Sequence, residues 1–224
     1  MTITTTTLTR AAGLAAIAGG LIFIGVQIDH PLLDAAFTTT TEYTVRETAK
    51  IMMAVCSLVG IAGIYLRQVR QTGALGLIGY VLLSVGYLTI LSVQVIGVFV
   101  LPDLAARQPD YVDDVLAVAT SSTPIGDVSQ LQTLSHVGIA YIIGGIVFGI
   151  ALFRADILAR WACALLSVGA VATLATPLLP ELTQRLLAVP VGVALIGLGY
   201  SLWRDQRSPV AGLGSSRSDP AVVR

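Results

Sequence analysis

The chain has 224 residues, 55% of them hydrophobic and 12% charged, with a mean hydropathy of +0.84 and a formal net charge of zero. Soluble domains carry roughly 25% charged residues, so this composition excludes a chain folded wholly in water. The zero net charge gives no pull toward nucleic acid. The lipid bilayer is the expected solvent.

Residues 1–10 form a polar, threonine-rich tail, and Arg10 precedes an apolar run over 11–28. A cleaved signal peptide would have an apolar core of about 7 to 15 residues ending at a small-x-small site. The run here ends GVQIDHP (25–31), which offers no such site, so it reads as a retained first span. The connection that follows carries Asp29, Asp34, Glu42 and Glu47 against Arg46 and Lys50. Thr44 and Glu47 have the spacing of a capping box, which predicts a helix start there and a second span over about 48–66. Its apolar part, 51–66, is short, and Lys50 can snorkel to the headgroups.

The longest uncharged stretch is 71–102, with its apolar part at 74–101. As a helix those twenty-eight residues reach about 42 Å, against a hydrocarbon core of about 30 Å. This third span has length to spare. A large acidic loop, 102–133, carries Asp103, Asp110, Asp113, Asp114 and Asp127 against Arg107. Within it Tyr111, Val112, Val115, Leu116 and Ala119 share one helical face, which predicts a short amphipathic helix over the spans or along the interface. Ser121, Ser122, Pro124 and Gly126 then predict a break. Three further spans are expected over about 134–153, 157–179 and 186–203, and the serine-, glycine- and proline-rich tail 204–224 is expected to be disordered.

The fold class is therefore all-α, a six-helix integral membrane bundle. Six spans place both termini on one side, together with nine basic residues against four on the other. By the positive-inside rule both termini are cytoplasmic, and the protein is expected in the plasma membrane of a bacterium. Superposing 12–25 on 137–150 gives six identities in fourteen, including Gly13/Gly138, Gly19/Gly144 and Gly20/Gly145. That echo suggests a 3+3 inverted repeat, the alternative being coincidence among glycine-rich helices. Gly145 with Gly149, and Ala16 with Gly20, have small-xxx-small spacing, which predicts close helix packing within the chain. Cys56 and Cys163 lie in spans, where a cysteine simply packs.

No Asp, Glu, Lys or Arg lies deep in a span, which argues against an ion-coupled pump. Polarity gathers instead at the outer leaflet, in Gln27, Asp29, His30, Glu47, Gln94, His136, Thr173 and Thr176, a candidate outward-facing pocket. An amide such as Gln94 in a hydrophobic span needs a partner on another helix or a watered cavity. His30 and His136 have ligand chemistry for a metal or a haem, but no H-x-x-x-H or C-x-x-C spacing supports either, and no cofactor is predicted. Catalytic signatures such as G-x-S-x-G, H-E-x-x-H and the P-loop are missing from the sequence, so no catalytic residue is nominated.

The segments FIGVQIDHP (23–31), IYLRQV (64–69) and GLGYSLWR (197–204) resemble a group of uncharacterised bacterial multi-pass membrane proteins of about this length. The resemblance covers most of the chain outside its two tails. It implies a membrane bundle and carries over no catalytic residue. Three functional expectations stand: a non-enzymatic membrane component acting on a membrane-protein partner or a second copy through helix or outer-loop contacts; a small permease or binding protein for a neutral or apolar solute; and a haem- or metal-dependent membrane enzyme.

Overall fold

The computed structural model describes residues 4–28, 31–119, 126–128, 131, 138–178 and 185–205, and these are helix and turn with no strand among them. Six principal helices run alternately up and down: α1 (Thr5–Gly25), α3 (Thr41–Arg67), α4 (Val69–Phe99), α7 (Gly138–Ala155), α8 (Arg160–Ala172) and α9 (Val189–Asp205). Each packs on the next in chain order, and α9 returns to pack on α1, closing a ring. Three short helices, α2 (Ala35–Thr38), α5 (Leu101–Ala105) and α6 (Pro109–Ala119), lie together at one end. This is the acidic end of the ring. The opposite end, carrying Arg10, Arg67, Arg154 and Arg204, is the arginine end.

Five helices are long and apolar enough to cross a membrane: α1, α3, α4, α7 and α9 with the turn before it. The protein is membrane-embedded. The fifth expected span is shorter as an α-helix than the sequence suggests. It is α-helical over Arg160–Ala172 and then tightens into a 3₁₀ turn, Thr173–Leu178. Pro177 accounts for the change, because a proline has no backbone N–H to donate to the carbonyl four residues back. The last span opens with a 3₁₀ turn, Arg185–Ala188, and Pro190 sits in the first turn of α9, where a missing N–H costs nothing.

Other boundaries also move. The helix α1 begins at Thr5, inside the expected tail, because the Thr4 hydroxyl accepts a hydrogen bond from Thr7 N at 3.2 Å. It ends at Gly25 rather than at residue 28. The expected capping box at Thr44 and Glu47 is not used. Thr40 caps α3, accepting from Tyr43 N at 3.2 Å, so the cap lies four residues, about one turn, earlier and Glu47 falls in the helix interior. The chain turns sharply between α3 and α4, and α4 is kinked at Gly73, whose φ of 57° suits glycine and few other residues. The helix stops at Phe99, and Leu101 and Pro102 start α5, so the acidic end of the long span folds over into a separate element.

That element joins α2 and α6 in a small second core of Ala35, Leu101, Ala105, Val112 and Leu116. Val112 and Leu116 are buried as the amphipathic pattern predicts, whereas Tyr111 is 47% exposed. Acidic side chains hold this cap by accepting from backbone N–H groups: Asp113 from Ala35 at 2.7 Å, Asp34 from Phe37 at 2.7 Å and Asp114 from Gly126 at 3.0 Å. The expected break over 120–126 lies outside the described residues except for Gly126. Most of the expected disordered tail, from 206 onward, lies outside them too. Arg204 and Asp205 complete α9, and Asp205 pairs with Arg67 at 2.7 Å.

Glycine sets the helix spacing around the ring. A methyl placed on Gly13 would lie 2.8 Å from Gly199 O, and one on Gly20 would lie 2.5 Å from Gly192 O. The reverse substitutions meet Gly13 O at 2.5 Å and Gly20 O at 2.9 Å. The α1/α9 seam is thus backbone against backbone. Gly60 packs on Ala16, Gly149 on Cys163 and Ser167, and Gly145 on Ala170, so the small-residue motifs are used within the chain. The sequence echo does not carry into this packing. Gly19 faces α3 and Gly20 faces α9, whereas Gly144 faces α4 and Gly145 faces α8. A 3+3 repeat would pair α3 with α8 and α9 with α4, so the aligned glycines face non-equivalent neighbours. Cys163 is buried and Cys56 half-buried, both as free thiols, in keeping with packing roles.

Candidate functional site

Tyr43, Glu47, Lys50, Ala54, Ser57, Ile61, Ile64 and Gln68 recur along α3 at alternating steps of four and three, a heptad stripe on one face. Seven of the eight are buried, and Lys50 is half-buried. This is the inward stripe of α3, and its polar members fall at three levels: the acidic end, the middle and the arginine end.

At the acidic end Glu47 is 3% exposed and pairs with Lys50, Nζ to Oε1, at 2.5 Å. Glu47 lies twenty residues from Arg67, about 30 Å along the helix, which is the thickness of a hydrocarbon core. The pair thus lies at the edge of the core opposite Arg67; it loses hydration because Glu47 is buried within the bundle, and it persists because the two charges cancel. Across the seam α4 presents Gly97 and Gln94. A methyl built on Gly97 would stand 3.1 Å from Tyr43 Oη and 3.8 Å from both Glu47 Oε2 and Gln94 Oε1. Three oxygens from two helices therefore surround a position where α4 has no side chain. Among the described residues the Gln94 side chain makes no hydrogen bond.

The middle level has no counterpart among the expected site residues. Ser57 and Tyr87 are both 0% exposed, and their hydroxyls, with those of Ser84 and Tyr141, are buried without a hydrogen-bond partner. At the arginine end Gln68 is 0% exposed with both amide atoms unpartnered, and Arg10 Nε is likewise buried and unpartnered. Between these levels the ring is filled by Ile61, Ile64, Leu83, Phe148, Leu152, Leu195, Leu198 and Leu202, none more than 1% exposed. That apolar plug separates the arginine end from the two levels above it.

Of the expected pocket residues, the structure brings Glu47 and Gln94 together and adds Tyr43, Lys50 and Gly97. Gln27 lies in the turn that ends α1, half-buried. Thr173 closes α8, its hydroxyl donating to Ala170 O at 2.6 Å, a helix-end role. Asp29, His30 and His136 lie outside the described residues, as does the side chain of Thr176. An open groove of about 690 Å³ runs between the acidic ends of α1 and α3, walled by Ile22, Val26, Ile28, Val45 and Ala49 and rimmed by Arg46 and Glu42. Among the described residues, none of the expected pocket residues lines it. Among the described residues no three His, Cys, Asp or Glu side chains gather as a metal site would require.

No family model matches the chain, no curated protein matches its sequence and no solved structure matches its fold.

Proposed function

We propose that the chain is a six-span, non-enzymatic protein of the bacterial plasma membrane, with both termini cytoplasmic, that binds a small neutral solute from the outer side. The α8 helix with its 3₁₀ continuation supplies the sixth crossing, nineteen residues from Arg160 to Leu178. The arginine end faces the cytoplasm by the positive-inside rule. The observation that carries the binding reading is the cradle at Gly97, lined by Tyr43 Oη, Glu47 Oε2 and Gln94 Oε1. Two of these oxygens are acceptors, and Lys50 cancels the carboxylate charge, so the cradle suits an uncharged molecule carrying an O–H or N–H donor.

This reading is preferred to one in which the helices dock a partner, because the small-residue faces are consumed in packing α1, α3, α7, α8 and α9 against one another. Mass spectrometry of small molecules that co-purify with the protein tests it. A compound retained by the wild type is expected to be lost from Gly97→Ala, whose methyl fills the cradle, and from Gln94→Leu, while both variants remain folded and monodisperse. Retention by both variants would defeat the proposal. A Soret band in the purified protein would instead favour the haem reading built on His30 and His136.

A further inference from the structure

We infer that the hydroxyls of Ser57, Ser84, Tyr87 and Tyr141 enclose a hydrated site halfway through the ring, in which bound water supplies the hydrogen bonds that the protein withholds. Ser57 is ten residues from Glu47 and ten from Arg67, about 15 Å from each along α3, so the site lies at mid-membrane depth. Three helices contribute to it: Ser57 from α3, Tyr87 from α4 with Ser84 three residues before it on the same face of that helix, and Tyr141 from α7. The two tyrosine rings meet edge to face, with centroids 5.5 Å apart and an interplanar angle of 82°. The Tyr87 hydroxyl lies close enough to those of Ser57 and Tyr141 for weak, poorly aligned hydrogen bonds, but none of the three reaches full hydrogen-bond geometry.

Other hydroxyls of the same helices show what these could have done. Thr72, Thr89 and Ser92 each donate to the carbonyl four residues back, at 3.0, 3.0 and 2.9 Å, and Ser167 of α8 donates to Ile146 O at 3.0 Å. That local bond is open to any serine in a helix. Ser57 and Ser84 do not take it. Leaving a buried hydroxyl unpaired costs about 1–3 kcal/mol, and a dry cluster would incur that cost at several atoms in one place. Water held by two to four polar partners is the usual way such groups are satisfied. The cluster is uncharged and contains no amide or carboxylate, and each hydroxyl can both give and accept, which matches water's own bonding. The inference stands apart from the solute proposed for the Gly97 cradle and holds whether or not that solute exists.

X-ray hydroxyl-radical footprinting of the full-length protein in detergent micelles tests it, because radicals formed from a bound water modify the side chains beside it. Phe148 of α7, also 0% exposed, is the dry reference. With each rate normalised to that of the same residue in the unfolded chain, Tyr87 and Tyr141 are expected to be modified several-fold faster than Phe148. In a Ser57→Ala variant, which removes one wall of the site without adding bulk, modification of Tyr141 is expected to fall several-fold. Modification of both tyrosines at the Phe148 rate would overturn the inference, and so would an unchanged Tyr141 rate in the folded Ser57→Ala variant.

Discussion

Two seams of the ring are built on opposite plans. Between α1 and α9 the contact is glycine on glycine, Gly13 with Gly199 and Gly20 with Gly192, and main chains touch because side chains are missing. Between α3 and α4 the facing stripes carry Tyr43, Glu47, Ser57, Gln68, Tyr87 and Gln94, and polar groups are buried with few bonds to one another. In lipid there is no hydrophobic drive to press helices together, so close van der Waals contact must supply the adhesion. The glycine seam supplies it and leaves no room for anything else. The polar seam gives up some of that adhesion and keeps groups ready for molecules that are not part of the chain.

If that contrast is right, adding atoms should wreck the first seam and removing one charge should damage the second. Gly20→Leu is expected to have the largest effect. Its side chain would drive into Gly192 O and Ile196, and because the nearest obstacle is main chain that cannot swing aside, α1 and α9 are expected to part altogether. Loss of the monodisperse peak in size-exclusion chromatography would register an opened ring. Gly25→Leu on the same helix is the control, since nothing lies within 4 Å of that position, and it should behave as wild type.

At the polar seam Glu47→Ala leaves Lys50 in a buried site without its counter-charge, a change that typically costs 3–5 kcal/mol. The thermal midpoint in detergent should drop, and the double variant Glu47→Gln, Lys50→Met should recover most of the loss. A double variant as unstable as the single one would mean that packing, not charge, holds this end together. The smallest effect is expected where α3 meets α9, at the Arg67–Asp205 pair. Both side chains are about one-third exposed, 34% and 33%, so Arg67→Ala should cost at most about 1 kcal/mol, and less in high salt.

The sequence made the glycine seam half legible. Small-xxx-small spacing marks Ala16, Gly20, Gly145 and Gly149 as contact positions, but spacing alone is silent on the partner helix, and the echo between the first and fourth spans does not supply it. At the polar seam, charge and amide chemistry announce Glu47 and Gln94 because such groups are rare in lipid. Glu47 nevertheless looks like a cap, since four threonines at 38–41 offer earlier starts that a local motif search overlooks. The mid-membrane hydroxyls were missed because serine and tyrosine pass for ordinary filling in an apolar helix. The signal that could have found them is depth. Tyr87 is thirteen residues beyond Ala74, about 20 Å into the span, far from the interfacial belt where tyrosine usually sits. The shortened α8 shows the opposite limit, because one proline inside an apolar run changes the helix type without changing the hydropathy.

Closing the ring with the first helix and the last also sets an order of assembly. Gly13 and Gly199 are separated by 186 positions, and at about 5–20 residues per second the ribosome takes roughly 10 to 40 s to travel between them. During that interval α1 has one of its two neighbours, α3, while its Gly13 and Gly20 face looks into lipid or the insertion machinery. A glycine surface open to every passing helix is a hazard in a crowded membrane. The seam least tolerant of error in the finished protein is therefore also the last to be protected as the protein is made.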